Sequence, residues 1–228
     1  MVVPILQGPL RGKKWIAGSG THGCWLGTYE LAAQNLFRRI VKPGDVIYDI
    51  GANVGFYTLL SSICAGPTGK VYSFEPLPQN IAELRKHITM NRLSNCELIE
   101  AAVSHSDGTA RFDSSRPRSM GQVSARGNKF VRTVRIDSLV DGKRILPPNV
   151  LKIDVEGEEF NVLRGAQGTL GEYSPVIFLE THGTEARESC MQFLTERQYT
   201  ITSLNSRNVE CSDELIAFKG ELSRQDCI

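Results

Sequence analysis

Two carboxylates sit in apolar, β-branched runs where an acid needs a partner. Asp49 lies inside "VIYDI", residues 46–50, and Glu75 closes "KVYSFE", residues 70–75. Between them come Gly51, Ala52, Asn53 and Gly55, followed by an apolar stretch. Glycines after a strand let the backbone approach a ligand, and the helix that follows offers free N–H groups. Asn53 tolerates left-handed backbone angles and can fix such a turn. Glu75 stands twenty positions after Gly55, a spacing at which an acid can take both hydroxyls of a ribose. Plain packing explains either feature alone. Together and in this order they read as a nucleoside site.

A second group lies farther along, Asp154 and Glu156 in "KIDVEG" and Glu180 and His182 in "FLETHG". A strand alternates faces, so the members of each pair are expected to point the same way. Clustered acids raise one another's pKa. His182 has the side chain suited to base work near neutrality. This is equipment for taking a proton from an acceptor group. Asp154 is the candidate floor of the active site, with Glu156 and His182 as the other catalytic candidates. A structural role at the start of the next helix is the alternative for Asp154 and Glu156.

The turn itself narrows the nucleoside. A dinucleotide fold uses GxGxxG, whose middle glycine lets pyrophosphate come close. Here Ala52 and Asn53 occupy that region. Asp49 would also repel a pyrophosphate. It suits a cationic ligand part instead. S-adenosylmethionine carries an ammonium, a sulfonium, a ribose and an adenine. Asp49 would meet the ammonium, directly or through water, and Glu75 the ribose. Glu30, in "GTYE", is a further acid that could pair with the ammonium.

These residues need a scaffold, and the chain alternates strand and helix patterns, the mark of an α/β fold with a mostly parallel sheet. Ala33, Leu36, Phe37 and Ile40 stripe a helix over 29–40, which "KPGD" ends. Strands are expected at 46–50, 70–75, 96–103, 149–157 and 175–183, with helices after Gly55, after Pro76 and Pro78, over 158–170, and around Ala186–Leu194. "YTITSLN" and "ELIAFKG" read as a closing antiparallel pair, because their connection is short. About seven strands and one domain over 1–228 result. Residues 1–25 are expected to pack near the site. The stretch 113–129 has few large apolar residues and four basic residues against one acid. It reads as a long loop between "TARF" and "FVRTVRI", either a lid over the substrate or a mobile surface excursion.

Bulk properties exclude other classes. Net charge is +1 and aromatic content 7%, which leaves no global basic excess and few stacking platforms for nucleic acid. No apolar run approaches the length of a membrane span, and the N-terminus lacks the order of a secretory signal. Six scattered cysteines without a CxxC pair read as free thiols in a reducing cytosol, so a cytoplasmic protein without a zinc site is expected.

"VIYDIGANVGFYT", "VYSFEP", "AAVS", "VLKIDVEGEEFNVLRGA" and "VIFLETHG", in this order, resemble the FkbM-type family of S-adenosylmethionine-dependent methyltransferases, strongly over 40–183. The resemblance implies a class I methyltransferase sheet, Rossmann-like and doubly wound, with its final strand antiparallel. It implies S-adenosylmethionine as cofactor, S-adenosylhomocysteine as product, and methyl transfer to an oxygen of a small molecule or sugar. It carries the cofactor site onto Asp49, Gly51, Asn53, Gly55 and Glu75, with Ala52 in the same turn and Asp154 beside the methyl. Ala101 and Ala102 would line the adenine, or be ordinary strand-end alanines. Tyr29 and Glu30 would lie near the methionine part. The expected partner is a small-molecule or glycan acceptor, without membrane; oligomeric state is unreadable. An RNA methyltransferase and a non-catalytic cofactor-binding module are the rivals. A divalent ion on the clustered acids, orienting a diol, is a secondary possibility.

Overall fold

The computed structural model describes residues 1–113, 122–123, 127–204 and 208–221. The chain begins with a hairpin, β1 (Val2–Pro4) and β2 (Lys14–Ile16), and a short helix, α1 (His22–Leu26). Alternation follows through α2 (Leu31–Ile40), β3 (Val46–Ile50), α3 (Phe56–Ala65), β4 (Lys70–Phe74), α4 (Pro78–Met90) and β5 (Cys96–Ile99). An excursion comprises β6 (Ala102–Val103), β7 (Gly108–Asp113), β8 (Gln122–Val123), β9 (Lys129–Val134) and α5 (Ile136–Asp141). The alternation resumes with β10 (Val150–Ile153), α6 (Glu159–Gly165), α7 (Gln167–Tyr173), β11 (Val176–Glu180) and α8 (Thr184–Glu196), then β12 (Thr200–Ser203) and β13 (Glu214–Phe218).

Seven strands form the central sheet in the order β12-β13-β11-β10-β3-β4-β5. β5, β4, β3, β10 and β11 run parallel, and β13 is antiparallel to both of its neighbours, β11 and β12. This is the class I methyltransferase arrangement. From β3 the chain winds outward through β4 and β5, then returns to β10 on the other side. Between β3 and β10 lies the switch point, where ligands of open α/β sheets bind.

Pleating sends alternate side chains to opposite faces. Tyr48 and Ile50 join Leu139, Val162, Leu163 and Phe193 in one core layer. Ile47 joins Phe37, Leu59 and Leu60 in the other. Trp15, fully buried, stacks on His87 at 3.8 Å between ring centroids and donates its indole N–H to the Ser19 carbonyl at 2.9 Å. The ring stack, with the Ile16 N–H donating to His87 Nε2 at 3.1 Å, pins the N-terminal segment onto α4.

Several expected elements differ, among them the strands over 149–157 and 175–183, which are shorter. The strand over 96–103 is broken: the Ala101 N–H turns back to the Ile99 carbonyl at 2.9 Å, and Ala102 pairs with Thr133 in a second sheet, β6-β9-β7-β8. The helix over 158–170 is two helices. The Asp137 carboxylate accepts the Gly168 and Thr169 N–H groups at 2.9 and 2.8 Å, giving α7 its own start. The helix over 29–40 begins at Leu31, after Glu30 in a left-handed conformation (φ 45°).

Residues 114–121 and 124–126, most of the expected lid, lie outside the described residues. Their flanks "TARF" and "FVRTVRI" fall in β7 and β9, whose Phe112 and Val131 pack on Leu77. Among the described residues no helix is long and apolar enough to cross a membrane. The five described cysteines are free thiols, with Cys24 and Cys190 buried.

Candidate active site

The turn after β3 is held by the protein itself. A Cβ on Gly51 would lie 1.8 Å from the Asp154 carbonyl oxygen, and its φ is +85°. Glycine is therefore required there by the backbone of the next strand. Gly55 caps α3 at φ +96°, with Leu84 against it. Asn53 takes the left-handed conformation its type allows, φ 49°. Its N–H donates to Glu75 Oε2 at 2.9 Å, and its own Oδ1 is buried without a hydrogen-bond partner. Glu75 Oε1 accepts the Leu77 N–H at 2.9 Å and the Asn80 amide at 3.2 Å. Burial pushes the Glu75 carboxyl up to about 7, against those three donors. A carboxylate has about four acceptor positions, so Glu75 keeps capacity for a ligand hydroxyl.

Asp49 is buried on the side of the sheet covered by α3. The Thr58 hydroxyl donates to it at 2.5 Å, and Ser73 Oγ lies 2.9 Å from Thr58 Oγ1. Burial raises its carboxyl to about 6. Sequence reasoning left its charge to a ligand ammonium. A protein cation is already beside it, because Lys152 of β10 is its neighbour in register.

Lys152 is the residue sequence reasoning missed. Only 5% of it is exposed, and its ammonium lies 3.4 Å from Glu180 Oε2, 3.8 Å from Asp154 Oδ2 and 4.9 Å from the centre of the Tyr57 ring. Burial alone would lower its pKa. Asp154, Glu180, Glu30 and Asp49 overturn that and hold it above the ordinary lysine range. The signal was legible: "VLKI" carries one cation in an apolar run, as "VIYDI" carries one anion.

At the exits of β10 and β11 the four expected residues converge. β10 ends at Ile153, so pleating does not align Asp154 with Glu156. Glu156 is instead brought round by a left-handed turn, φ 53°, followed by Gly157 at φ 99°. His182 Nε2 lies 3.6 Å from Glu156, 3.8 Å from Asp154 and 4.0 Å from Glu180. His182 Nδ1 is 2.7 Å from Oε1 of Glu159, a fully buried acid that also accepts the Gly157 N–H at 2.8 Å. Glu159, the second half of "EGEE", was not singled out from sequence. Its hydrogen bond raises the His182 pKa to about 9, with Glu156 and Asp154 adding to the shift. That pull favours the imidazolium over the free base expected from the sequence. Burial raises the Glu156 carboxyl, which His182 partly counters.

Two adjoining chambers open over the switch point. They share Tyr29, Gly51, Asn53 and Asp154. The first continues along Phe74, Glu75, Leu77, Ala102 and Phe112 to Glu156 and Glu180. The second reaches Asp49, Ala52 and Lys152, with Gly18, Gly20 and Thr21 of the N-terminal segment on its wall. Four expected residues line neither chamber: Glu30, Gly55, Ala101 and His182. Ala101 is fully buried in the core. Glu30 accepts the Tyr57 hydroxyl at 2.7 Å and borders a small recess behind Lys152 and Glu180. Asp154, Glu180 and His182 each present a ligand atom within 4.8 Å of the others, a spacing compatible with a metal ion.

The Methyltransferase FkbM domain matches residues 49–207. This chain belongs to the FkbM methyltransferase family. It is 31% identical over 180 residues to the hexuronic acid methyltransferase AglP of Haloferax volcanii, covering 75% of this chain and 72% of that one. It is 28% identical over 160 residues to the 31-O-demethyl-FK506 methyltransferase FkbM of Streptomyces tacrolimicus, covering 56% of this chain and 61% of that one. The crystal structure of methyltransferase FkbM from Methylobacillus flagellatus shares the fold, with a TM-score of 0.55 at 19% identity. That match covers 77% of this chain and 43% of the other. In this chain the glycine turn and the carboxylate–histidine group lie on opposite sides of one switch point.

Proposed function

We propose that this FkbM-family chain transfers a methyl group from S-adenosylmethionine to a hydroxyl of a sugar or small molecule. The observation that carries the reading is the cleft itself. One wall presents Glu75 and Asn53, and the other presents Asp154, Glu156 and Glu180. An acidic, half-apolar cleft fits a cationic nucleoside. Glu75 would accept a ribose hydroxyl on its remaining position. Phe74, Leu77, Ala102 and Phe112 would face the adenine. Asp154, with Asp49 behind it, would face the ammonium. The bound cofactor would supply an electrophilic methyl group.

The residues of the chain then do the rest. Asp154 is the floor on which cofactor and acceptor meet, and such placement supplies much of the rate in a transfer reaction. Glu156 takes the proton of the acceptor hydroxyl. It lines the cleft, its burial makes it a stronger base, and its turn aims it at the space beside His182. His182, charged and tethered to Glu159, steadies that carboxylate rather than competing for the proton. AglP, a hexuronic acid methyltransferase, and the FK506 methyltransferase support a sugar or small-molecule acceptor.

The test is a methyl-transfer assay with labelled S-adenosylmethionine over uronic acids, neutral sugars, polyketide alcohols and RNA. Label on a sugar or alcohol oxygen is the expected result. Label on RNA alone would replace this reading with the rival one, and cofactor binding without any transfer would favour a non-catalytic module.

A further inference from the structure

The acids of the cleft outnumber the cations, and among the described residues Lys152 is the one buried cation of the central sheet. Lys152 rises from the middle of β10, between Asp49 of β3 and Phe178 of β11 in register. Its strand is buried at all four positions, so the stem has no freedom to swing away. Its ammonium reaches Glu180 at 3.4 Å and Asp154 at 3.8 Å, and the Tyr57 ring backs it at 4.9 Å. Asp154 and Glu180 are two of the three residues whose spacing suits a divalent ion. The third, His182, turns Nε2 toward the same two carboxylates at 3.8 and 4.0 Å.

We propose that Lys152 is the resident cation of this carboxylate group, standing in for a divalent ion between Asp154 and Glu180, so that methyl transfer here is metal-independent. A metal ion bound there would lie within a few ångströms of an ammonium that cannot leave, and like charges repel at that range. Lys152 is a positioning residue: it orients the floor carboxylate and its neighbour, and screens their mutual repulsion. This use of a lysine makes the position intolerant of neutral replacement. It also predicts that removing the ammonium uncovers a latent metal site.

The experiment uses the full chain stripped with EDTA. Manganese binding is counted by electron paramagnetic resonance up to about 1 mM, the weak end of protein sites for hard cations. The wild type is expected to bind no manganese in the cleft and to keep its turnover in EDTA. Lys152→Ala is expected to lose roughly 10- to 100-fold in turnover, the range for removing a supporting partner. It should gain one manganese site, lost again on adding Asp154→Asn, and part of its turnover should return with the metal. Lys152→Arg should keep most of the activity without metal. Wild-type turnover that dies in EDTA and returns with manganese, or a wild-type manganese site abolished by Asp154→Asn, would overturn the proposal. So would a folded Lys152→Ala with full metal-free turnover. The turnover arm rests on the methyl-transfer reading. The binding arm does not, so failure of one is distinguishable from failure of the other.

Discussion

The two sides of the cleft use the same residue type and wire it differently. On the turn side, Glu75 and Asp49 take their hydrogen bonds from neutral donors, Asn53, Leu77 and Asn80 for one and Thr58 for the other, with Lys152 reaching only Asp49 across the strand register. On the exit side, Asp154, Glu156, Glu159 and Glu180 are balanced against Lys152 and His182. Neutral donors fix geometry. Cations set charge, and so decide where a proton can go. The first arrangement suits a part of the site that holds a ligand. The second suits a part that does chemistry.

The difference can be broken first at Glu156. Glu156→Gln removes the proposed proton acceptor and keeps its shape. Turnover should fall about 10²- to 10⁴-fold, the usual weight of general base catalysis, while the dissociation constant for S-adenosylhomocysteine stays near that of the wild type. Steady-state kinetics beside calorimetry separate the two.

Gly51→Ala attacks the junction of the two sides. Its Cβ would collide with the Asp154 carbonyl in a conformation alanine avoids. Unfolding in urea should show a loss of about 2–5 kcal/mol, the sum of left-handed strain and overpacking. A loss below about 1 kcal/mol would mean the turn relaxes and the tight junction is wrong.

Charge on the exit side should be visible in a titration. The folded pKa of His182 lies above its ordinary 6.5, at about 9. Its ionised form therefore adds stability that is complete below pH 6.5 and is lost as pH rises through about 9. Glu159→Gln should bring the His182 titration, followed by NMR, down toward 6.5 and flatten that part of the stability profile. An unmoved titration would show that Glu159 does not hold the charge.

The smallest effect belongs to Thr58. Thr58→Val removes a neutral donor from buried Asp49 and should cost about 1–3 kcal/mol. Because burial already raises Asp49 to about 6, the penalty should shrink as pH falls below that value and the carboxyl is protonated.

Much of the turn side was legible in the sequence, because its signals are local. A strand, two glycines, a left-handed Asn and an acid at fixed spacing lie within thirty residues. The parallel strands at 46–50, 70–75 and 175–183 were readable for the same reason. The exit side was legible in its residue types and not in its wiring. Asp154 and His182 stand out, but the turn that brings Glu156 round needs the backbone angles at 156 and 157. Lys152 and Asp49 are each a lone charge in an apolar strand. Their pairing depends on β10 lying next to β3, and a sequence separation of about a hundred residues hides it. The break after β5 was hidden too, since its cause is pairing of Ala102 with a strand thirty residues on.

What the turn side holds decides the function. Calorimetric titration of S-adenosylhomocysteine into the wild type and Glu75→Ala tests it most directly. The prediction is saturable one-to-one binding by the wild type, weakened roughly 10- to 100-fold in the variant by loss of a charge-assisted hydrogen-bond acceptor. No binding by the folded wild type, or equal affinity in the two proteins, would contradict it.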